Sequence, residues 1–358
     1  MKKWLSGLLA ASMLLSLCAC GAGGDSGEQP PGSTPGGTEE SEGYKIALSN
    51  SYVGNAWRTA AVNIFDAYTE DLVEQGVIAK AYSSSAGDEV QAQINEIRNM
   101  MSEGYDAIIC IAASATGLQS VLEEAAERGI VVVCFDTSVD SDLVYNVNTD
   151  QFEYGRLLAQ SLADRMGGSG NILWIKGIEG NQVTIDRTAG MQSVLDNYPD
   201  IKVLGEGFGK WDDSTTASVM SNLMSAYSSQ GIDGILSEGG GGHAIVQSLS
   251  ENGIDPKSIP ISEGEMFNSF MKDWVELDLD AFCTAQPPYL AAPSVDVALQ
   301  VLDGQRVDPI TYVDLPTCSS KEEAEEKWYQ PDQEGGFVCD WTDADNTWNL
   351  DISDVAPD

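Results

Sequence analysis

The chain has 358 residues, 42% of them hydrophobic, which is enough apolar side chain for about two domains of ordinary size. Its 18 Lys and Arg residues against 56 Asp and Glu residues give a formal net charge of −38, and no basic stripe interrupts the acidity. Such a surface repels phosphates, so we exclude nucleic acid as a partner and favour a neutral or cationic ligand over an anionic one.

The N-terminal segment has the features of a signal peptide. Lys2 and Lys3 precede an uncharged apolar run that ends at Ala19 and is shorter than the roughly 20 residues of a membrane span. The sequence around Cys20 resembles the bacterial lipobox, with a small Ala before the modified cysteine, whereas lipidation of Cys18 would put Leu17 there. We therefore predict a signal peptide over 1–19, lipidation at Cys20 and a disordered Gly/Pro/Ser/Thr tether over 20–43.

Strands and helices alternate from residue 44 onwards. Residues 46–48 predict a short buried strand, followed by a polar turn and an amphipathic helix that ends at Gly76. Continuous apolar runs at 106–111 and 130–135 are typical of parallel strands buried on both faces. A helix before these two runs is predicted to begin after Asp88 as its N-cap and to end at Gly104, and a helix between the runs is predicted to end at Gly129.

A second series of strands and helices begins after Asp150. Predicted strands cover 172–175, 201–204, 234–236, 259–261, 282–285 and 310–315, with amphipathic helices between most of them. Alternating strands and helices predict an α/β fold, and this many strands predict two doubly wound parallel-sheet lobes.

The last segment, from residue 317, has a different composition. It is strongly acidic but contains Trp328, Trp341 and Trp348, so we expect it to pack partly onto the body. Cys110, Cys134 and Cys283 lie in apolar strands and are interpreted as small buried hydrophobic residues, whereas a disulfide between Cys318 and Cys339 is left open.

Polar residues follow the first strand at Ser51, Asn55, Trp57 and Arg58. In open parallel sheets ligands lie beyond the carboxyl ends of the strands, so these residues are candidate ligand contacts. Structural roles are the alternative: a core position for Trp57 and a solvated surface charge for Arg58.

Four segments resemble bacterial periplasmic sugar-binding proteins of the ribose-binding type. Residues 46–58 resemble the start of these proteins, and the Trp-Arg pair resembles their galactofuranose-binding branch. Residues 135–137 resemble an apolar-Asp-Arg segment of the family, with Thr137 in place of Arg. Residues 177–190 resemble its G–x–x–G…R–x–x–G segment. Residues 285–288 resemble the segment at a crossover between the lobes, which carries a glutamine, here Gln286.

Two segments depart from the family pattern. Residues 237–242, with Glu238 and four glycines, replace the usual Asn-Asp pair. Residues 262–265 replace Phe-Asp-Gly, which leaves open whether Glu263 or Glu265 is the acid that faces the ligand.

The resemblance implies the type 1 periplasmic binding fold, in which three crossovers form a hinge between two lobes. Lobe 1 is expected at 44–148 plus 287–311, lobe 2 at 149–286 plus 312–330, and an acidic extension at 331–358. The implied ligand-binding residues are Ser51, Asn55, Trp57, Arg58, Asp136, Thr137, Thr149, Arg187, Glu238, Glu263 and Gln286.

The implied function is that of a monomeric, extracytoplasmic lipoprotein, anchored to the outer face of the bacterial cytoplasmic membrane or in the periplasm. It would capture a monosaccharide-like ligand between its lobes and deliver it to an ABC permease, without catalysis, cofactor or metal. Carboxylates accept and guanidinium groups donate hydrogen bonds, which suits hydroxyls that do both. Structural alternatives remain for two of these residues: Asp136 as a helix cap or turn residue, and Arg187 as a charge on a helix surface.

Two other functions use the same features. A sensor lipoprotein would present its ligand to a membrane receptor instead of a permease. An extracytoplasmic enzyme acting on glycosides is disfavoured, because the sequence has one histidine and neither a G-x-S-x-G nor an H-E-x-x-H motif.

Overall fold

The computed structural model describes residues 43–87 and 89–356. The predicted signal peptide, Cys20, the tether up to residue 42 and the predicted cap Asp88 lie outside the described residues. Within them, no helix combines the length and apolarity that a membrane span requires.

One parallel sheet organises the first part of the chain. Its six strands run in the spatial order β11-β5-β4-β3-β1-β2, and every neighbouring pair is parallel. These strands are β1 (Tyr44–Asn50), β2 (Ile78–Ser85), β3 (Ala107–Ile111), β4 (Val131–Phe135), β5 (Tyr145–Asn148) and β11 (Ile310–Tyr312). The helices that cover this sheet and form lobe 1 with it are α1 (Ala56–Glu74), α2 (Val90–Glu103), α3 (Ala115–Glu127) and α9 (Ala291–Leu302).

A second six-stranded sheet follows, in the order β12-β10-β9-β8-β6-β7, with β12 antiparallel to β10. Its strands are β6 (Ser169–Lys176), β7 (Asp200–Phe208), β8 (Gly234–Ser237), β9 (Ile261–Gly264), β10 (Ala281–Thr284) and β12 (Thr317–Cys318). Lobe 2 adds α4 (Gln151–Arg165), α5 (Gln182–Leu195), α6 (Asp213–Tyr227), α7 (Gly242–Glu251) and α8 (Asn268–Leu277). Two short helices close the chain, α10 (Lys321–Glu323) and α11 (Ile352–Val355).

The chain passes between the two sheets three times: after β5, after β10 and after β11. This topology confirms the predicted α/β fold of two doubly wound lobes with a three-crossover hinge. Because both sheets are built from β-α-β units, the carboxyl ends of their central strands lie at the same edge of each sheet, where ligands bind in such folds.

Local signals explain the ends of several helices. The side-chain oxygen of Asn55 accepts the backbone N–H of Arg58 and caps α1. Ser114 caps α3 in the same way, and Gly104, with φ +73°, ends α2 in the left-handed conformation that glycine adopts without strain.

The largest apolar core includes residues of both lobes and of the C-terminal segment. Phe65 from α1, Trp274 from α8 and Phe337, Leu350 and Val355 from the C-terminal segment belong to this one cluster. The C-terminal segment therefore packs onto the body, as expected from its tryptophans. The described cysteines are buried free thiols, among them Cys318 and Cys339, for which the sequence left a disulfide open.

Candidate functional site

In lobe 1, Arg58 joins the ends of two strands. It lies in the first turn of α1 and donates from Nη1 to Ser51 Oγ at 2.9 Å, just beyond β1. Its Nη2 donates to Asp136 Oδ2 at 2.9 Å, just beyond β4, and the exposed fractions of the two paired side chains are 13% and 19%. The guanidinium carbon also lies 5.4 Å from the centre of the Tyr52 ring. Arg58 is therefore a largely desolvated, oriented charge rather than a solvated one.

Asp136 uses both carboxylate oxygens. Its second oxygen, Oδ1, accepts from Gln286 Nε2 at 2.6 Å, and Gln286 lies in the crossover after β10. The backbone of Asp136 is left-handed, with φ +62°, which is uncommon for a residue with a Cβ and costs free energy. The turn at the end of β4 thus directs this carboxylate towards the hinge.

Gln286 connects the two lobes. Its side-chain oxygen accepts from Gln151 Nε2, and Thr149 Oγ1 lies 3.4 Å from the same oxygen. Its backbone oxygen accepts from the indole nitrogen of Trp57 at 2.6 Å. The Trp57 ring is partly buried and also packs against the apolar core.

Arg187 is the corresponding cation of lobe 2. It is 2% exposed, donates from Nε to Gln151 Oε1 at 2.8 Å and from Nη1 to Glu265 Oε1 at 3.0 Å. Its guanidinium carbon lies 3.6 Å from the centre of the Tyr154 ring and 5.9 Å from that of Trp211. Arg187 is therefore held in one orientation by a carboxylate, an amide and a stacked ring.

These contacts form one continuous network, which we call the polar chain. It runs from strand ends of lobe 1, through the hinge, to strand ends of lobe 2, and its members are Arg58, Asp136, Gln286, Gln151, Arg187 and Glu265. Two buried atoms at its lobe 2 end, Glu265 Oε2 and Trp211 Nε1, have no hydrogen-bond partner among the described residues. One is an acceptor and the other a donor, as a ligand hydroxyl requires.

Glu263 and Glu265, the two acids between which the sequence did not decide, have different hydrogen-bond partners in the structure. Glu265 contacts Arg187, whereas Glu263 Oε1 accepts the backbone N–H of Gly241 at 3.0 Å. Glu265 follows β9 with a left-handed backbone, φ +66°, and this turn carries its side chain to Arg187. The predicted site residue Glu263 lies within the sheet, next to the glycine loop 239–242, and its hydrogen bond is to that loop rather than to the polar chain.

Burial controls the pKa values of the acids here. Desolvation raises the pKa of Glu263 to about 8 and raises that of Glu265 as well, although the Arg187 charge opposes the latter shift. Burial also raises the pKa of Glu238, against the hydrogen bonds that it accepts. These bonds come from Gly177 N at 2.9 Å and Thr188 Oγ1 at 2.8 Å, so both oxygens of Glu238 are used within lobe 2.

The structure brings most, not all, of the predicted residues together. Those joined by direct hydrogen bonds to the polar chain are Ser51, Trp57, Arg58, Asp136, Thr149, Arg187 and Gln286. Asn55 is exposed and its side chain caps α1, and Thr137 lies half-buried beside Asp136 without a side-chain hydrogen bond to the described residues. Glu238 contributes its backbone oxygen, which accepts from Arg187 at 3.0 Å.

Sequence reasoning missed several members of this site. Gln151 stands three residues beyond the end of β5, in a polar run that marks a strand end. Tyr52 is adjacent to the predicted Ser51. Tyr154 and Trp211 have no local signal, because α4 and the turn between β7 and α6 reach Arg187 through tertiary packing alone.

The described residues also form surface hollows away from the polar chain. Among the described residues, no group of three or more His, Cys, Asp or Glu side chains is arranged to hold a metal ion. Two surface hollows of about 370 and 500 Å³ lie elsewhere, one beside His243 and Lys272 and the other beside Arg156 and Arg165.

Comparison with known proteins places the chain in a family. The sequence model described as "Periplasmic binding protein domain" matches residues 46–306. A xylitol-binding protein of Mycolicibacterium smegmatis is 33% identical over 172 residues, 48% of this chain and 49% of that protein. The galactofuranose-binding protein of Escherichia coli is 29% identical over 188 residues, 51% of this chain and 58% of that protein. The chain thus spans about half the length of these curated relatives.

Solved structures agree on the fold. An ABC transporter solute binding protein from Thermobispora bispora superposes with a TM-score of 0.71 at 21% identity, covering 82% of this chain and 90% of that one. The binding protein of the arabinose ABC transporter from Shewanella sp. ANA-3 gives 0.70 at 25% identity, covering 78% and 93%. These matched proteins are named as binding proteins rather than enzymes. With the family match over most of its folded part, the chain belongs to the periplasmic binding protein family.

Proposed function

We propose that this protein is an extracytoplasmic solute-binding lipoprotein that captures a monosaccharide-like ligand between its lobes and delivers it to an ABC permease. The observation that carries this proposal is the polar chain, in which Gln286 and Gln151 connect the ion pair of lobe 1 to that of lobe 2. At its lobe 2 end, a buried donor and a buried acceptor have no hydrogen-bond partner among the described residues. Relatives named for binding xylitol, galactofuranose, xylose and ribose support this ligand class.

The chemistry of the polar chain suits a polyhydroxy ligand. Asp136 and Glu265 accept hydrogen bonds, Arg58 and Arg187 donate them in a fixed geometry, and Gln286 does both. A net hydrogen bond to a charged group contributes about 1.5–3 kcal/mol, so a handful of them reaches the roughly −8.2 kcal/mol of micromolar binding. An analogue without one hydroxyl would leave a buried charge unpaired, which gives selectivity.

Hinge motion would admit the ligand. Gln286 lies in a crossover and bonds to residues of both lobes, so separation of the lobes would break its contacts with Asp136 or Gln151. A ligand that replaces these partners would restore the lost hydrogen bonds and favour the closed arrangement.

The first prediction concerns Asp136→Asn, which keeps the size of the side chain and tolerates a left-handed backbone. A thermal-shift screen of monosaccharides and polyols, on protein that begins at residue 43, measures binding. A ligand at 100 times its dissociation constant stabilises the parent by about 2.7 kcal/mol. We expect the variant to lose most of this shift, relative to its own unliganded melting temperature, because the charge that orients Arg58 is gone.

Asp140→Asn is the matched control, since Asp140 is exposed in the same loop. It should keep the full shift. If no compound of the library raises the melting temperature of the parent protein, sugar binding is contradicted. If the Asp136→Asn variant shows the same shift as the parent, the polar chain is not the binding site.

A further inference from the structure

The C-terminal segment 330–355, which we call the strap, is fastened to lobe 2 at the start of α8. Asn268 Nδ2 donates to the backbone oxygens of Gln330 and Gln333 at 2.8 and 2.9 Å. The backbone N–H of Asn268 donates to Phe337 O at 2.9 Å, and Gln330 N donates to Asn268 Oδ1 at 2.9 Å. Asn268 is 3% exposed, so water does not compete for these bonds.

An antiparallel bridge continues this attachment to the polar chain. Phe267 pairs with Val338, and Cys339 N donates to Met266 O at 2.9 Å. Continued by one residue, this register puts Asp340 opposite Glu265, the lobe 2 end of the polar chain. Asp340 is fully buried, and neither of its carboxylate oxygens has a hydrogen-bond partner among the described residues.

The other end of the strap is fastened to lobe 1. Trp348 Nε1 donates to Asp296 Oδ2 of α9 at 2.9 Å, and its ring centre lies 5.4 Å from that of Tyr289. Leu350 and Val355 are 5% and 1% exposed, and α11 packs on α1. The strap thus has buried anchors on both lobes.

Between the anchors the strap forms a folded turn. Thr347 N donates to Asp343 Oδ1 at 2.7 Å, and Asn346 Nδ2 donates to Leu350 O at 2.9 Å. Residues 344–347 are exposed. Since an extended chain spans roughly 3.3–3.6 Å per residue, unfolding this turn would allow a limited extension and no more.

We propose that the strap is a fourth connection between the lobes, one that limits how far they separate in the absence of ligand. It stands outside the three crossovers, and it must stretch or detach when the lobes rotate apart. If the lobes separate less, a larger fraction of the protein molecules stays near the binding-competent arrangement, which raises the apparent affinity for the ligand. The proposal rests on the hinge motion of the proposed function, but its test requires no ligand.

The test cuts the strap after the protein has folded. The recognition sequence of a site-specific protease is inserted between Asp345 and Asn346, in the exposed turn, and the purified protein is cleaved. The same sequence inserted between Asn252 and Gly253, an exposed loop within lobe 2, provides the control. Small-angle X-ray scattering then measures the radius of gyration of ligand-free protein before and after each cut.

We expect cleavage in the strap to increase the radius of gyration and cleavage in the control loop to leave it unchanged. No increase, or an equal increase in the control, overturns the proposal. Trp348→Phe, which loses the bond to Asp296 but keeps a ring, should give an increase of the same sign in uncut protein. Circular dichroism before and after cutting verifies that both lobes stay folded. Because no sugar is present, a failure of sugar binding would not change these outcomes.

Discussion

Glu263 illustrates how a single buried acid couples protonation to stability. Its Oε1 accepts from Gly241 N, while Oε2 is buried without a partner among the described residues, so the ionised form is poorly solvated. One backbone amide of the glycine loop 239–242 therefore already donates a hydrogen bond to an internal carboxyl group. A phosphate at this loop would have to compete with Glu263 for that amide.

The pH dependence of folding should reveal this group. Burial raises the pKa of Glu263 from 4.5 to about 8, so the folded state keeps a proton that the unfolded state loses. The cost of burying the ionised carboxylate is therefore absent below pH 4.5 and grows as the pH rises to about 8, so the free energy of unfolding falls over this range. We expect Glu263→Gln to lose this dependence, so that it gains stability relative to the parent across the window.

Urea unfolding at several pH values measures the difference between variant and parent. Glu251→Gln, at an exposed position on α7, serves as the control and should follow the parent. A stability difference that stays constant from pH 4.5 to pH 8 would contradict the assignment of the raised pKa to Glu263.

At the scale of elements, α4 and α5 pack closely enough to exclude a side chain. A Cβ on Gly190 would lie 2.0 Å from Phe152 O, and one on Gly155 would lie 2.0 Å from Arg187 O. Both contacts are with backbone atoms, which cannot move aside as a flexible side chain can. This close approach places Arg187, on α5, against Gln151 and Tyr154, on α4.

Gly190→Ala should therefore push α5 away from α4. We expect a loss of about 1–3 kcal/mol or more in the free energy of unfolding, together with weaker ligand binding because Arg187 moves with its helix. Gly336→Ala is the control, since nothing lies within 4 Å of a Cβ built there. Chemical denaturation and the thermal-shift assay measure the two effects, and a Gly190→Ala variant as stable as Gly336→Ala would contradict the close packing.

Buried apolar strands could be predicted from the sequence more readily than half-exposed ones. Strands β3 and β4 are continuous apolar runs, and β1 has a buried apolar centre at 46–48, so all three could be predicted from the sequence. Strand β2, at the edge of its sheet, has one buried residue, Ile78, and ends in serines. The short β5 and β12 lack a long apolar run. Their pairing partners, rather than their own sequences, determine these strands.

The site was predictable to the extent that it lies at strand ends. Arg58, Asp136 and Gln286 follow or approach predicted strands, and the family resemblance placed Arg187. Tyr154 and Trp211 reach the site through long-range packing that no local pattern encodes. The different positions of Glu263 and Glu265 depend on the left-handed backbone of Glu265. The sequence does not predict this conformation, because the residue is not a glycine.

At the scale of the whole molecule, we propose that membrane anchoring depends on a different segment from the two folded lobes. We propose that attachment to the membrane depends on a lipid at Cys20, because the sequence around this cysteine resembles the bacterial lipobox. We expect Cys20→Ser, expressed from the full sequence in a bacterial host, to move the protein from the membrane fraction to the soluble fraction. Labelled fatty acid should be incorporated into the parent and not into this variant.

Cys18→Ser separates the two candidate cysteines. It should keep both the label and the membrane location, since the small Ala19 precedes Cys20. If Cys18→Ser loses the label and Cys20→Ser keeps it, the lipidated residue is Cys18 rather than Cys20.

The shared core of the two lobes and the strap affects how this protein can be recombined with its relatives. The family match ends at residue 306, before β11, β12 and the strap. A chimera that joined one lobe of this chain to the other lobe of a relative would leave Trp348 or Phe337 facing a foreign surface. Exchange of ligand preference between relatives should therefore begin with single residues of the polar chain, and any transplanted half must bring its own portion of the tail.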